Sequence, residues 1–219
     1  MRTGPAGSAI VGTLTAAILL FTTGCTREGD APAATADTAA ATAVARSSPP
    51  AAAMRLDKPA KLLGTWPESV NRVLRGQAEQ NMGNFKKLLS TEPTSAMGTA
   101  FVRATEVYTR KDGLHIPGDD QRVILVSGVS GTIADPTATV DRIFAGLPNV
   151  TDVAAVPPGP LSGMAGCGVG PAKTGIPVGI CVWGDEHTVG MVTFIGFAPA
   201  DDPHAMFGQI RAELERPAR

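Results

Sequence analysis

An α+β domain is the architecture this chain predicts: an antiparallel sheet of about four to six strands with two amphipathic helices packed on one face. Three observations carry that expectation. β-Branched residues cluster at Thr99 to Arg110 and at Arg122 to Val129, as they do in strands. Asp135-Pro136 and Asp202-Pro203 each introduce an apolar stripe at helical spacing. Two late segments, Gly179 to Trp183 and Thr188 to Phe194, flank a short polar stretch and read as a hairpin.

The elements follow in order. Leu56 to Leu63, with Gly64-Thr65-Trp66-Pro67 behind it, reads as an extended entry and a turn. Pro67 to Leu74 reads as a helical turn that carries Val70, Val73 and Leu74 inward, and Gln77 to Ser90 as a polar, weakly helical stretch. Lys111-Asp112-Gly113 is a turn signal. The first clear helix follows Asp135-Pro136 with Val140, Ile143, Phe144 and Leu147 on one side. The second follows Asp202-Pro203 with Met206, Phe207, Ile210 and Leu214. In both, Asp accepts hydrogen bonds from free backbone N–H groups while Pro occupies the first turn. The two strand–loop–helix runs resemble each other, through duplication or through shared capping chemistry. Thr151 to Val156 reads as a strand, Gly163 to Gly168 as the start of a hairpin, and Gly184-Asp185-Glu186-His187 as an exposed turn with room for positive φ at the glycine.

Before this domain the chain is of a different kind. Arg2 is the sole charge ahead of Arg27, and Ala9 to Phe21 is a nearly continuous apolar run. A positive start, a short apolar core and small residues make the layout of an export signal over residues 1–24. The run ends in Phe21-Thr22-Thr23-Gly24-Cys25, which resembles a bacterial lipobox, with Thr22 where that motif usually has Leu. The resemblance implies cleavage before Cys25, attachment of diacylglycerol and palmitate there, and a place on the outer face of the cytoplasmic membrane. The alternatives are an uncleaved transmembrane anchor from Thr3 to Thr26 and plain secretion, and all three put the domain outside the cytoplasm. Residues 25–55 read as the lipidated Cys followed by an Ala/Thr/Pro tether too poor in apolar side chains to fold. Residues 56–219 form the extracytoplasmic domain.

Composition narrows the function. Nineteen Lys and Arg against twenty Asp and Glu give a net charge of −1, without the basic excess that nucleic-acid binding needs. With Cys25 assigned to the anchor, Cys167 and Cys181 remain as an even pair in an oxidising compartment. A structural disulfide between neighbouring strands is the expected state, and a thiol redox pair or a metal site are the alternatives.

Gly159-Pro160-Leu161-Ser162-Gly163-Met164-Ala165-Gly166-Cys167-Gly168, then Ile180-Cys181-Val182-Trp183-Gly184-Asp185 and Thr188-Val189-Gly190, resemble a C-terminal signature of uncharacterised exported lipoproteins from high-GC Gram-positive bacteria. The resemblance spans roughly Pro148 to Glu215 and implies a location and a disulfide, and no activity.

Catalytic patterns are thin. His187 beside Asp185 and Glu186 suggests a general base, but consecutive turn residues diverge and seldom form a relay. Asp201-Asp202-Pro203-His204 has the residue types of a metal site, yet helix capping accounts for the acids. His115, near Asp119 and Asp120, reads as solvated. Ser127-Gly128-Val129-Ser130-Gly131 reads as a Gly-rich turn with no His placed to activate either serine, and Trp183 as core. Expected, then, are no catalytic residue, no metal ligand and no cofactor. The overall expectation is a cell-envelope lipoprotein with a non-enzymatic binding domain, held to the membrane by lipid and meeting an envelope protein or small ligand. An accessory or sensor subunit of a membrane signalling complex and an extracytoplasmic hydrolase are the alternatives.

Overall fold

The computed structural model describes residues 53–116, 120–170 and 175–218, all within the unit Pro49–Arg219. Cys25, the expected export signal (1–24) and nearly all of the expected tether (25–55) lie outside the described residues. Six strands make one antiparallel sheet: β4 (Ser95–Val102), β7 (Val123–Ser130), β8 (Thr151–Ala155), β9 (Met164–Val169), β10 (Val178–Gly184) and β11 (Thr188–Ile195). Their order across the sheet is β4-β7-β11-β10-β9-β8. Short paired strands surround it: β1 (Met54–Leu56) with β12 (Glu215–Pro217), β2 (Lys61–Leu62) with β3 (Trp66–Pro67), and β5 (Val107–Thr109) with β6 (Gly113–His115). The helices are α1 (Arg72–Phe85), α2 (Pro136–Ala145) and α3 (Pro203–Leu214). The expected antiparallel α+β fold is therefore present, and among the described residues no helix is long and apolar enough to cross a membrane.

The alternation of side chains along the strands divides the core in two. On one face Val129, Val182, Val189 and Met191 pack with Phe85, Val140 and Ile143, which come from α1 and α2. Leu125, Val123 and Ala100 continue that face beneath Ala78 of α1. On the other face Ile124, Val126, Trp183, Val192 and Phe194 pack with Phe207, Ile210 and Leu214 of α3 and with Leu56, Leu62 and Trp66. Two helices do share one face, but they are α1 and α2, while α3 covers the opposite one. The two Asp-Pro segments do share their capping chemistry: Asp135 Oδ1 accepts from Ala138 N at 2.9 Å and Asp202 Oδ1 from Ala205 N at 3.1 Å.

Several local readings change. The first helix begins at Arg72, capped by Asn71 Oδ1, which accepts from Val73 N at 2.9 Å. Val70 and Val73 point outward, 63% and 78% exposed, because the helix presents Ala78 and Phe85 to the sheet. Gly98 makes that docking possible: a Cβ there would lie 2.6 Å from Glu79 Cα. Ser127 to Ser130 is buried strand in β7 rather than a turn. Met54 and Arg55, expected at the end of the tether, already pair with Pro217 and Arg216. The Asp112-Gly113 turn is where it was expected, with Gly113 at φ 68°. Gly184 ends β10 as an ordinary strand residue, and the turn that follows is built by Asp185.

Candidate functional site

The most elaborate polar structure sits where β10 turns into β11. Asp185 Oδ1 accepts the backbone N–H groups of His187 at 2.7 Å and Thr188 at 2.8 Å, so the side chain folds the turn around itself. Its other oxygen accepts from Arg211 Nη2 at 2.6 Å. Arg211 lies on α3 and is fully buried; its Nε donates to Glu215 Oε1 at 3.0 Å and its Nη1 to the Pro158 carbonyl at 3.2 Å. The Thr188 hydroxyl lies 2.7 Å from Glu215 Oε1 and 2.9 Å from Asp185 Oδ2, and its single proton serves one carboxylate at a time. Trp183 Nε1 donates to that same hydroxyl oxygen at 3.3 Å. A cation held between two carboxylates, with every guanidinium nitrogen donating to a partner, is the arrangement that makes a buried charge tolerable.

Glycines allow this cluster to close. A Cβ on Gly190 would meet Trp183 Cη2 at 2.2 Å, so the indole lies directly over that residue. Gly163 adopts φ 103°, and a Cβ there would sit 2.5 Å from the Gly184 carbonyl oxygen. This brings the 157–163 loop against the turn. Trp183, Asp185, Thr188 and Gly190, read from the sequence as a spaced motif, are thus one interlocked unit with Arg211 and Glu215.

Beside the cluster opens a cleft of about 540 Å³, bounded by Met54, Pro136, Thr137, Leu161, Ser162, Gly163, Met164, Asp185, Glu186, His187 and Glu215. The backbone fixes its walls: Gly131 N donates to the His187 carbonyl at 2.9 Å and Ile133 N to the Glu186 carbonyl at 3.1 Å, strapping the β7–α2 connection to the turn. Thr137 and Met164 lie in contact and bring α2 and β9 together across the cleft. His187 is half-buried, and its Nε2 is buried without a hydrogen-bond partner in the protein. An unpaired buried imidazole nitrogen costs about 1–3 kcal/mol.

The residues singled out in the sequence take up distinct places. Asp185 and His187 form no side-chain relay, as expected for neighbours in a turn. Asp185, however, is buried rather than exposed, because Arg211 claims its carboxylate. Ser130 Oγ is bound to Ser95 Oγ at 2.6 Å and Thr94 Oγ1 at 2.8 Å, so no imidazole activates it. Asp202 caps α3, and Asp201 accepts from Ala198 N at 2.7 Å and pairs with Arg122 at 2.8 Å. His115 Nδ1 lies 3.0 Å from the Gly113 carbonyl, and Asp119 falls outside the described residues. Cys167 and Cys181 are joined in a disulfide, on directly opposed positions of β9 and β10. Arg211, Glu215 and the cleft itself are not announced by the sequence. An Arg and a Glu four residues apart on a helix are ordinarily a surface pair, and nothing local marks these as buried.

Two carboxylates elsewhere are acidified by their partners. Glu68 lies below its ordinary value through the Lys58 ammonium and then the Thr99 hydroxyl, which donate at 2.8 and 2.6 Å. Asp120 is lowered by the guanidinium of Arg122, whose own value is raised in return. That guanidinium stacks on Trp66 and Phe197, 5.8 and 5.6 Å from the ring centres. Both pairings are structural, tying loops to the sheet. Compared with protein-family models, curated proteins and solved structures, the chain has no match in any of the three.

Proposed function

We propose that this chain is a cell-envelope lipoprotein whose C-terminal domain binds a small ligand in the His187 cleft, without catalysing a reaction on it. The observation that carries the binding function is the cleft of about 540 Å³, which has among its lining residues His187, whose buried Nε2 has no hydrogen-bond partner in the protein. A concave site that combines apolar walls, here Met54, Pro136, Leu161 and Met164, with a few polar side chains, here Thr137, Ser162 and His187, is how small molecules are oriented. The neighbouring charged groups favour binding over catalysis. Asp185 and Glu215 are both committed to Arg211, and Ser130 is held by two other hydroxyls. The anchor rests on the export signal and on the resemblance of residues 21–25 to a lipobox. It supports a place on the extracytoplasmic face of the membrane, with the tether lifting the domain away from it.

Each half has its own test. Metabolic labelling with palmitate should tag the wild-type chain and leave Cys25→Ala untagged; equal labelling of both places the lipid elsewhere and refutes the anchor. For the cleft, low-molecular-weight envelope extract should raise the melting temperature of the wild type and leave His187→Leu unmoved. An identical shift in both proteins excludes the cleft as the site, and no shift in either removes the binding function.

A further inference from the structure

We propose that Cys167, Cys181 and His204 form a redox-gated site for cuprous ion, closed while the disulfide stands and opened when a dithiol or phosphine reduces it. The two sulfurs and an imidazole nitrogen of His204 all lie within 4.8 Å of one another. The sulfurs come from opposed positions on β9 and β10, and His204 comes from the first turn of α3, which crosses that face of the sheet. These parts are far apart in sequence, so no ligand spacing announces them.

Geometry and donor chemistry select the ion. Metal–thiolate and metal–imidazole bonds run about 2.0–2.3 Å, so donors around one ion stand roughly 3.5–4 Å apart. The present cluster reaches that spacing by side-chain rotation once the sulfurs separate. Two thiolates and one imidazole are a soft, three-donor set, which suits cuprous ion better than zinc, whose structural sites take four. The nearby Asp202 is no fourth ligand, since its carboxylate caps α3. Access is provided by a groove of about 390 Å³ whose wall includes Cys167, Phe194, Phe197, Pro203 and His204. His204 is exposed on its rim, where it can swing without disturbing the core.

The steps balance. A dithiol delivers two electrons and two protons to the Cys167–Cys181 bond and becomes a disulfide itself. Cuprous ion then replaces the two thiol protons, which pass to solvent, and keeps its oxidation state throughout. Exchange with an external disulfide, which takes up the two electrons and two protons as it becomes a dithiol, re-forms the Cys167–Cys181 bond and expels the ion.

The test uses the full chain in a Cys25→Ala background, so that only this pair supplies thiolate. Cuprous ion is titrated anaerobically from a bicinchoninate complex, before and after reduction with a phosphine, with circular dichroism recorded alongside. The reduced protein should take one ion per chain, the oxidised protein none, and His204→Ala should bind at least roughly tenfold more weakly. His204 lies at the surface, so that variant keeps its fold. Equal binding in oxidised and reduced protein, or unchanged binding in His204→Ala, overturns the proposal. So does loss of the folded spectrum on reduction, because the site requires α3 and the sheet in place.

Discussion

Trp183 shows how a single residue organises this domain. It is fully buried, lies over Gly190, stands 6.1 Å from the ring of Phe207 and donates its indole N–H to Thr188. Gly190→Ala would push a methyl group into the indole and also within 2.7 Å of the Ser127 carbonyl oxygen. We expect a loss of about 1–3 kcal/mol, read as a lower midpoint in chemical denaturation. Arg211→Met should cost more, about 3–5 kcal/mol, because Asp185 and Glu215 then stay buried without their cation. A denaturation midpoint equal to that of the wild type would show that the cluster is not buried in solution. At this scale the sequence is only partly legible. Trp183 as core and Asp202 as cap follow from residue type. The burial of Asp185 does not, since it depends on an arginine twenty-six residues away.

Elements are legible where one local signal is enough. The strands β7, β10 and β11 are dense in β-branched residues, and α2 and α3 begin at Asp-Pro. The first helix is harder. Its sequence is polar, contains Gly76 and Gly83, and buries only Ala78 and Phe85, so its apolar stripe is too thin to place the start. Its cap marks the start instead: Asn71→Ala should destabilise the domain by about 1 kcal/mol in the same denaturation experiment. The pair at Glu68 binds the entry segment to β4, and its acidity sets a pH dependence. The native pKa is lower than the unfolded one, so this stabilisation is complete above the ordinary Glu value of about 4.3. It is lost as pH falls through the lowered native value. Melting temperature should therefore fall less between about pH 5 and about pH 3 in Glu68→Gln than in the wild type; parallel curves would exclude the pairing. Reduction of the disulfide should remove roughly 3 kcal/mol in the chain-entropy model while leaving the sheet folded.

For the whole molecule, composition and order along the chain are more informative than any motif. An apolar run, a cysteine, a polar tether and an even pair of later cysteines are what the proposal of export rests on, before any strand is placed. The cleft is invisible at that level because its wall is assembled from β1, α2, the 157–163 loop, the β10–β11 turn and Glu215. Only the fold brings these segments together. The most direct test is the native intact mass of the protein extracted gently from the membrane of the cell that makes it. The predicted species starts at Cys25, carries acyl mass, is two hydrogens lighter than the dithiol, and retains a small ligand that His187→Leu does not. A full-length, unlipidated chain with free thiols and no retained mass would contradict the anchor, the disulfide and the cleft together.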